Sequence, residues 1–464
     1  MRYLCYVVLC SLIWLAGCAS NGVIAPPTAS APATQQPPAV AVERPDRKDH
    51  EPIIPSGELL PITPAQATSN NVVALAPPAN LWERMRRGFR MPDLDGNLVR
   101  DREQWYSTRP DYIQRMTERS SKYLFHIVEE LERRNMPTEL ALLPFIESAF
   151  NPQAISHAKA MGMWQFMPAT GKYFELKQNA FRDDRRDVLA STRAALDYLQ
   201  KLYGMFGDWH LALAAYNWGE GSVGRAIAKN QRLGRDTGYG ELTMPMETRF
   251  YVPKLQAMKN IVVNPQAFNL NLPDIGNHPY FQSVDLAHDI DVALAAKLAE
   301  IALEDFKELN PSLNRPVILA AGTPQILLPW DNAAIFQRNL ESHAAGPLAS
   351  WTVWLAPTTM KPAEAAKRVG MSESLLRSVN KIPQKMVIKA GSSLLVPRSI
   401  RLASDVAGHL ADNGQLSLVS EARPQRTPSK SHKAVRKGKT SNKAKPASQQ
   451  TRRAAPTKKR TEKP

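Results

Sequence analysis

One carboxylate stands at the end of an almost wholly apolar run, Leu142-Leu-Pro-Phe-Ile-Glu147-Ser-Ala-Phe-Asn151-Pro152. Among Leu143, Phe145, Ile146 and Phe150, Glu147 would be partly desolvated. Desolvation disfavours the charged form and raises a carboxyl pKa. An acid still protonated near neutral pH is what cleavage of a glycosidic bond requires as proton donor. Taken alone, the segment is equally satisfied by a Glu on the wet side of an amphipathic helix. Three further segments follow. Ser156 precedes Gly162-Met-Trp-Gln165-Phe-Met167-Pro-Ala-Thr-Gly171; then come Ala214-Ala-Tyr216-Asn217-Trp-Gly-Glu-Gly221 and Pro245-Met-Glu-Thr-Arg-Phe-Tyr251-Val252. Each alone has an ordinary explanation: aromatic core, glycine turn, helix start. Together they supply amides and hydroxyls beside aromatic faces, the equipment of a sugar cleft.

Helices must position these residues. Tyr123, Leu124, Ile127, Val128 and Leu131 recur at helical spacing with Glu129, Glu130, Glu132 and Arg133 opposite. Asn135 to Pro137 ends that helix. Val188, Leu189, Leu196, Leu199, Tyr203 and Phe206 form a second stripe, and Asp208 is placed to cap a helix over Trp209–Tyr216. Ser222–Lys229 and Thr248–Val263 read as further helices, with no convincing alternating strands between Ser120 and Val263. Farther on, two shorter units read as a weak internal repeat. Each has a helical middle, then Leu309-Asn310 or Val379-Asn380, then a β-like run closed by Pro329 or Pro397.

The four segments, in this order, resemble the lysozyme-like catalytic domain of family-1 lytic transglycosylases, and Leu-Pro-x-x-Glu-Ser with Trp-Gln-Phe-Met-Pro most resembles the membrane-bound lytic murein transglycosylase D group. The resemblance implies a mainly α fold, a lysozyme-like helical domain followed by small α+β LysM-like modules, with a disordered tether and tail. It implies Glu147 as the sole catalytic acid/base, and Ser156, Gln165, Met167, Asn217, Tyr251 and Tyr216 as cleft-lining residues. The implied reaction breaks the bond between N-acetylmuramic acid and N-acetylglucosamine in peptidoglycan. The sugar's own 6-hydroxyl closes on C1 to leave a 1,6-anhydro end, so no water is consumed and one carboxyl group suffices. Two departures stand out. Lys159-Ala160 replaces the family's frequent Gly-Ala, and a side chain tolerates positive φ poorly. Leu355–Met360 replaces the usual LysM turn after Trp351-Thr-Val-Trp354.

Two other functions stay open on sequence grounds. One is a hydrolytic muramidase, with Glu175, Asp183, Asp184 or Glu220 as second carboxylate; the other is an inactive peptidoglycan-binding lipoprotein. Retention of Glu147 with all four motifs speaks against the latter.

The termini set the compartment. Arg2 and the uncharged stretch Leu4–Ala16 read as a signal peptide over residues 1–17, too short for a spanning helix. Leu15-Ala-Gly-Cys18 resembles a bacterial lipobox, which implies a lipid on Cys18; Ala19 favours the outer membrane. Cys5 and Cys10 would leave with the signal, so no intramolecular disulfide is expected. The expected divisions are a Pro-rich tether over 18–80, the catalytic domain over 81–275, LysM-like units over 285–330 and 350–398, and a basic tail over 423–464. The net charge of +16 invites a nucleic-acid reading, but fifteen basic residues and one acid, Glu462, fall in that tail. The body is nearly neutral, so the expected partners are glycan strands, the membrane through Cys18 and, for the tail, anionic envelope surfaces, with no nucleic acid. The nine His are scattered, and neither a metal site nor a cofactor is expected.

Overall fold

The computed structural model describes residues 78–344, 346–399 and 404–421. The expected signal peptide, Cys18, nearly all of the tether and the basic tail lie outside the described residues. From Leu81 to Phe268 the chain is helical, and one continuous hydrophobic core runs through it. The Leu124–Arg133 helix buries Leu124, Ile127, Val128 and Leu131 on one face, as the apolar spacing predicts. Met136 N–H closes its C-terminal turn onto the Leu131 carbonyl, with Asn135 left-handed between them. The longest helix among the described residues, Val188–Phe206, is capped by Asp187 and stopped by Gly207 at φ +66°. Asp208 then caps Trp209–Trp218 through Leu211 N–H, at 2.8 Å.

Phe281–Asp285 (β1) pairs antiparallel with Gln325–Pro329 (β4), while Ile290–Asp291 (β2) pairs with Val317–Ile318 (β3). Helices Val292–Leu298 and Leu303–Leu309 lie between β2 and β3 in sequence. The first unit therefore begins at Phe281 rather than Asp285. Its opening strand has only two buried side chains, Phe281 and Val284, and is recognisable mainly through its partner strand. A helix at Trp330–Glu341, also outside the expected span, packs Ala333 and Phe336 into the same small core. In the second unit Trp351–Leu355 (β5) pairs with Ser393–Pro397 (β7) around helices Pro362–Arg368 and Glu373–Asn380. Met386–Ile388 (β6) takes Leu418–Ser420 (β8) as its partner.

The internal repeat has a physical basis. Asn310 donates to the Phe306 and Leu327 carbonyls and accepts from Leu327 N–H at 2.8 Å. Asn380 does the same with Leu376, Leu395 and Leu395 N–H at 2.7 Å. In each unit a buried side-chain amide pins the second helix to the closing strand. Backbone groups that the single partner strand does not reach are thereby satisfied, which avoids a cost of about 1–3 kcal/mol per buried orphan.

The first unit docks on the helical region. Phe281, Leu309 and Leu327 join the main core, and Tyr123 Oη donates to the Glu308 carbonyl at 2.9 Å. The loop before Val188 carries the polar part: Asp183 N–H meets the Ser312 carbonyl, and Asn314 N–H meets that of Phe181.

Candidate active site

Glu147 lies in the last turn of a six-residue helix, Leu143–Ser148, whose first turn is set by Pro144. The chain leaves it through two successive left-handed residues, Ala149 and Phe150, at φ +52° and +56°. Each costs energy that must be met elsewhere. Phe150 is fully buried edge-on against Phe145, centroids 4.5 Å apart, so the core holds the turn that presents the acid.

Glu147 is half-buried, and its Oε1 accepts a short hydrogen bond from the Tyr251 hydroxyl. Burial pushes its carboxyl up to about 7, while the Tyr251 bond and the Lys254 charge act in the opposite direction and Glu247 adds to the rise. Both tyrosines near it, Tyr251 and Tyr216, are held well above the usual phenol range by burial and by the Glu147 charge, so both stay neutral donors. Tyr251 opens the helix Tyr251–Val263, in which Tyr251, Val252 and Leu255 are buried. Tyr216, on the Trp209–Trp218 helix, donates to the Trp164 carbonyl at 2.9 Å. That bond ties its ring to the residue preceding Gln165.

The segment from Ser156 to Met167 folds as a tight loop held by bridges Ile155–Met161 and Met161–Phe166. Ser156 uses its hydroxyl to accept from Ala160 N–H at 3.0 Å. Gln165, left-handed at φ +49°, donates from its amide to the Gly162 carbonyl at 2.8 Å. Met167 is 42% exposed at the start of the Pro168–Tyr173 helix. Asn217 accepts from the Thr248 hydroxyl at 2.8 Å, joining the third and fourth motifs. Of the predicted residues, Tyr251 touches Glu147 directly and Tyr216 lies within electrostatic reach. Ser156 and Gln165 make their side-chain hydrogen bonds within their own loop, and Asn217 makes its bond between two helices. Trp164 and Phe166 are core rather than cleft: Trp164 is fully buried and donates to the Thr192 hydroxyl at 3.2 Å.

Three supporting groups escaped the sequence reading. Ser148 donates to the Met163 carbonyl at 3.0 Å and locks the Glu147 helix to the loop. Glu247 acts on Glu147 through space. Arg185, buried and paired with Asp183, donates to the Lys159 carbonyl at 2.9 Å and to that of Phe166 at 3.3 Å. Lys159 does adopt the left-handed conformation that its side chain disfavours, at φ +67°, and Arg185 holds it there. Gly162 admits no side chain, because a Cβ would sit 2.0 Å from the Arg185 carbonyl oxygen at φ +84°. Charge complementarity at i, i+2 was the only sequence signal for this brace, and it is a weak one.

Of the carboxylates considered as a second catalytic group, Asp183, Asp184 and Glu220 are engaged elsewhere. Asp183 is held by Arg185, and Glu220 by Tyr198 at 2.8 Å and Lys201 at 3.1 Å. Asp184 accepts from Lys177 N–H at 3.1 Å, and Glu175 sits in a left-handed turn. Among the described residues no group of His, Cys, Asp or Glu could hold a metal ion.

Removing the Tyr251 hydroxyl tests the electrostatics. The Tyr251 bond favours ionised Glu147, so Tyr251→Phe should raise its pKa further. A proton donor with a higher pKa stays active to higher pH. The alkaline limb of kcat/KM for peptidoglycan clearance should therefore move upward, with turnover about tenfold lower from lost positioning. A limb that moves downward would contradict the arrangement.

A helical domain presenting one enclosed acid beside two neutral tyrosines belongs to the lysozyme-like transglycosylases, and residues 126–237 match the transglycosylase SLT domain family. Residues 280–345 match the LysM-like domain of lytic transglycosylase MltD. Membrane-bound lytic murein transglycosylase D from Escherichia coli (strain K12) is 33% identical over 358 residues, 73% of this chain and 78% of that one. The protein of the same name from Escherichia coli O6:H1 (strain CFT073) matches to the same extent. A protein of Alteromonas sp. (strain M-1) named for tributyltin chloride resistance is 52% identical over 111 residues, 24% of this chain and 54% of that one. The chain belongs to the membrane-bound lytic murein transglycosylase D family.

Proposed function

We propose that this protein is a peptidoglycan lytic transglycosylase of cell-wall turnover. Glu147 is its single acid/base, and Ser156, Gln165, Met167, Tyr216, Asn217 and Tyr251 line its cleft. The observation that carries this reading is one carboxyl raised to about 7 and held by a neutral phenol. Such a group is poised to give a proton and then take one back. Protonated Glu147 donates to the oxygen linking N-acetylmuramic acid to N-acetylglucosamine. The 2-acetamido group stabilises positive charge at C1. The ionised carboxylate then accepts the proton of the same sugar's 6-hydroxyl as that oxygen bonds to C1, leaving a 1,6-anhydro end. The Tyr251 hydroxyl supports Glu147 while it is ionised, between the two proton transfers.

The substrate is the peptidoglycan glycan strand, and the setting is the bacterial envelope. A lipid on Cys18 anchoring the chain in the outer membrane, facing the periplasm, and a basic tail that contacts anionic envelope surfaces complete the proposal. No helix among the described residues is long and apolar enough to cross a membrane. Digestion of purified peptidoglycan followed by mass spectrometry tests the reaction. Anhydro-muropeptides, lighter by one water than hydrolysis products, are expected. Reducing ends would point to a muramidase, and an intact wall with bound protein to a binding lipoprotein.

A further inference from the structure

At the junction of the helical region and the first small unit lies a cavity of ≈ 380 Å³ whose lining contains cations but no carboxylate. Arg186 comes from the catalytic region, Lys307 and Arg315 from the first small unit. Lys381, from the second, lies outside that lining; burial lowers its pKa, and the Arg315 and Arg186 charges add to the effect.

Among the described residues the Arg186 and Arg315 guanidinium groups bond to carbonyl and amide oxygens rather than to a carboxylate. Arg315 donates to the Val379 carbonyl at 3.0 Å and to that of Asn380 at 3.5 Å, and burial alone lowers its pKa. Arg186 donates to the Gln153 and Asn314 amide oxygens, at 2.8 and 2.7 Å, and to the Ser312 carbonyl at 3.4 Å. The carboxylate acting on Arg186, that of Asp183, already accepts from Arg185 at 2.7 Å and 3.0 Å. The Nε of Arg186 and the Nε of Arg315 are both buried without a hydrogen-bond partner. Clustered, partly desolvated cations repel one another unless an anion joins them.

The larger cavity nearby, ≈ 530 Å³, is different. Its arginines have carboxylate partners, Arg134 and Arg193 in Asp197 at 2.6 and 3.0 Å and Arg182 in Asp412 at 3.0 Å, although the Nε of Arg182 is likewise buried without a hydrogen bond.

We propose that the junction cavity binds the free α-carboxylate of a peptide stem carried by the glycan strand. The inference rests on the peptidoglycan reading and deepens it. Guanidinium forks suit a planar carboxylate. Val292, Leu303, Leu313 and Pro316 supply an apolar wall for a small aliphatic side chain beside it. Gln153, exposed on the loop that leaves the Glu147 helix, forms one edge. The cavity and the catalytic acid thus share one loop, and a stem held in the cavity would orient its strand toward Glu147.

The probes are a synthetic tetrapeptide stem ending in D-alanine, its C-terminal amide, and inorganic phosphate, titrated calorimetrically into the full chain. The free acid should bind roughly tenfold tighter than the amide, and Lys307→Glu should abolish that preference. Lys307 is an exposed side chain, so this variant tests the idea even if Arg315→Gln disturbs folding. Equal binding of acid and amide, an unaltered preference in Lys307→Glu, or phosphate displacing the peptide at equal concentration would each overturn the assignment. Digestion of walls with and without their stems supplies a second readout. The rate ratio of stemmed to stripped strands should fall several-fold in Lys307→Glu. A wild-type chain that forms anhydro products yet binds no stem defeats only the cavity assignment. One that forms none defeats the transglycosylase reading itself.

Discussion

Glu147→Gln is expected to stop glycan cleavage and, at neutral pH, to make the folded chain more stable. General acid–base catalysis typically contributes 10²–10⁴-fold, and here one group acts in both proton transfers, so a loss of about 10⁴-fold is expected. The stability effect follows from the same burial. The carboxyl is raised from 4.5 to about 7 in the folded state. Below about pH 4.5 the acid is protonated whether folded or unfolded, and burial carries no ionisation penalty. Between about 4.5 and 7 the unfolded chain loses the proton while the folded chain keeps it. Wild-type stability therefore falls as pH rises through that window, and the penalty is complete above it. Each pKa unit corresponds to about 1.36 kcal/mol, a ceiling near 3 kcal/mol. The residue retains some contact with solvent, so a difference of about 1–2 kcal/mol is the expectation. Urea titrations at pH 4 and pH 8 check it: wild type and variant should coincide at the lower pH and separate at the higher. Near-normal turnover in the variant would remove Glu147 from its role.

Arg185→Ala should be the most damaging change away from the acid. Arg185 and Asp183 are buried, with side chains 7% and 12% exposed. Breaking such a pair from one side typically costs about 3–5 kcal/mol, because the remaining charge has no partner. The substitution also releases the Lys159 and Phe166 carbonyls, which brace the loop carrying Ser156 and Gln165. Activity should fall together with the thermal midpoint. Adding Asp183→Asn removes the orphaned charge and should recover part of the stability. A double variant no more stable than Arg185→Ala would mean that the ion pair is not the source of the loss.

Much of the helical region was legible because its signals are local. The apolar period of Leu124–Arg133, the Asp208 cap and the stop at Gly207 depend on residues within a turn or two of one another. The repeat was visible as Leu-Asn and Val-Asn before a Pro-closed run. Why asparagine stands there became clear only once Leu327 and Leu395 were seen to exchange hydrogen bonds with it. Phe281–Asp285 was missed because a short strand has little signature without its partner. Trp164 had an ordinary explanation as aromatic core, and its indole is fully buried, donating to Thr192 of the Val188–Phe206 helix.

Sequence alone determined the chemical kind of this protein: an apolar run ending in one Glu, three ordered motifs after it, and a basic charge confined to the tail. Those are statements about residue type and order, and they survive without coordinates. Tertiary structure decided the rest. It put the Tyr251 hydroxyl on Glu147, more than a hundred residues away in sequence, and Tyr216 beside both. It set Arg185 beneath the loop and brought cations from the helical region and the first small unit to one cavity. A pKa, a strained loop and an unneutralised cavity each depend on desolvation and on distances between remote segments, which exist only after the chain has packed.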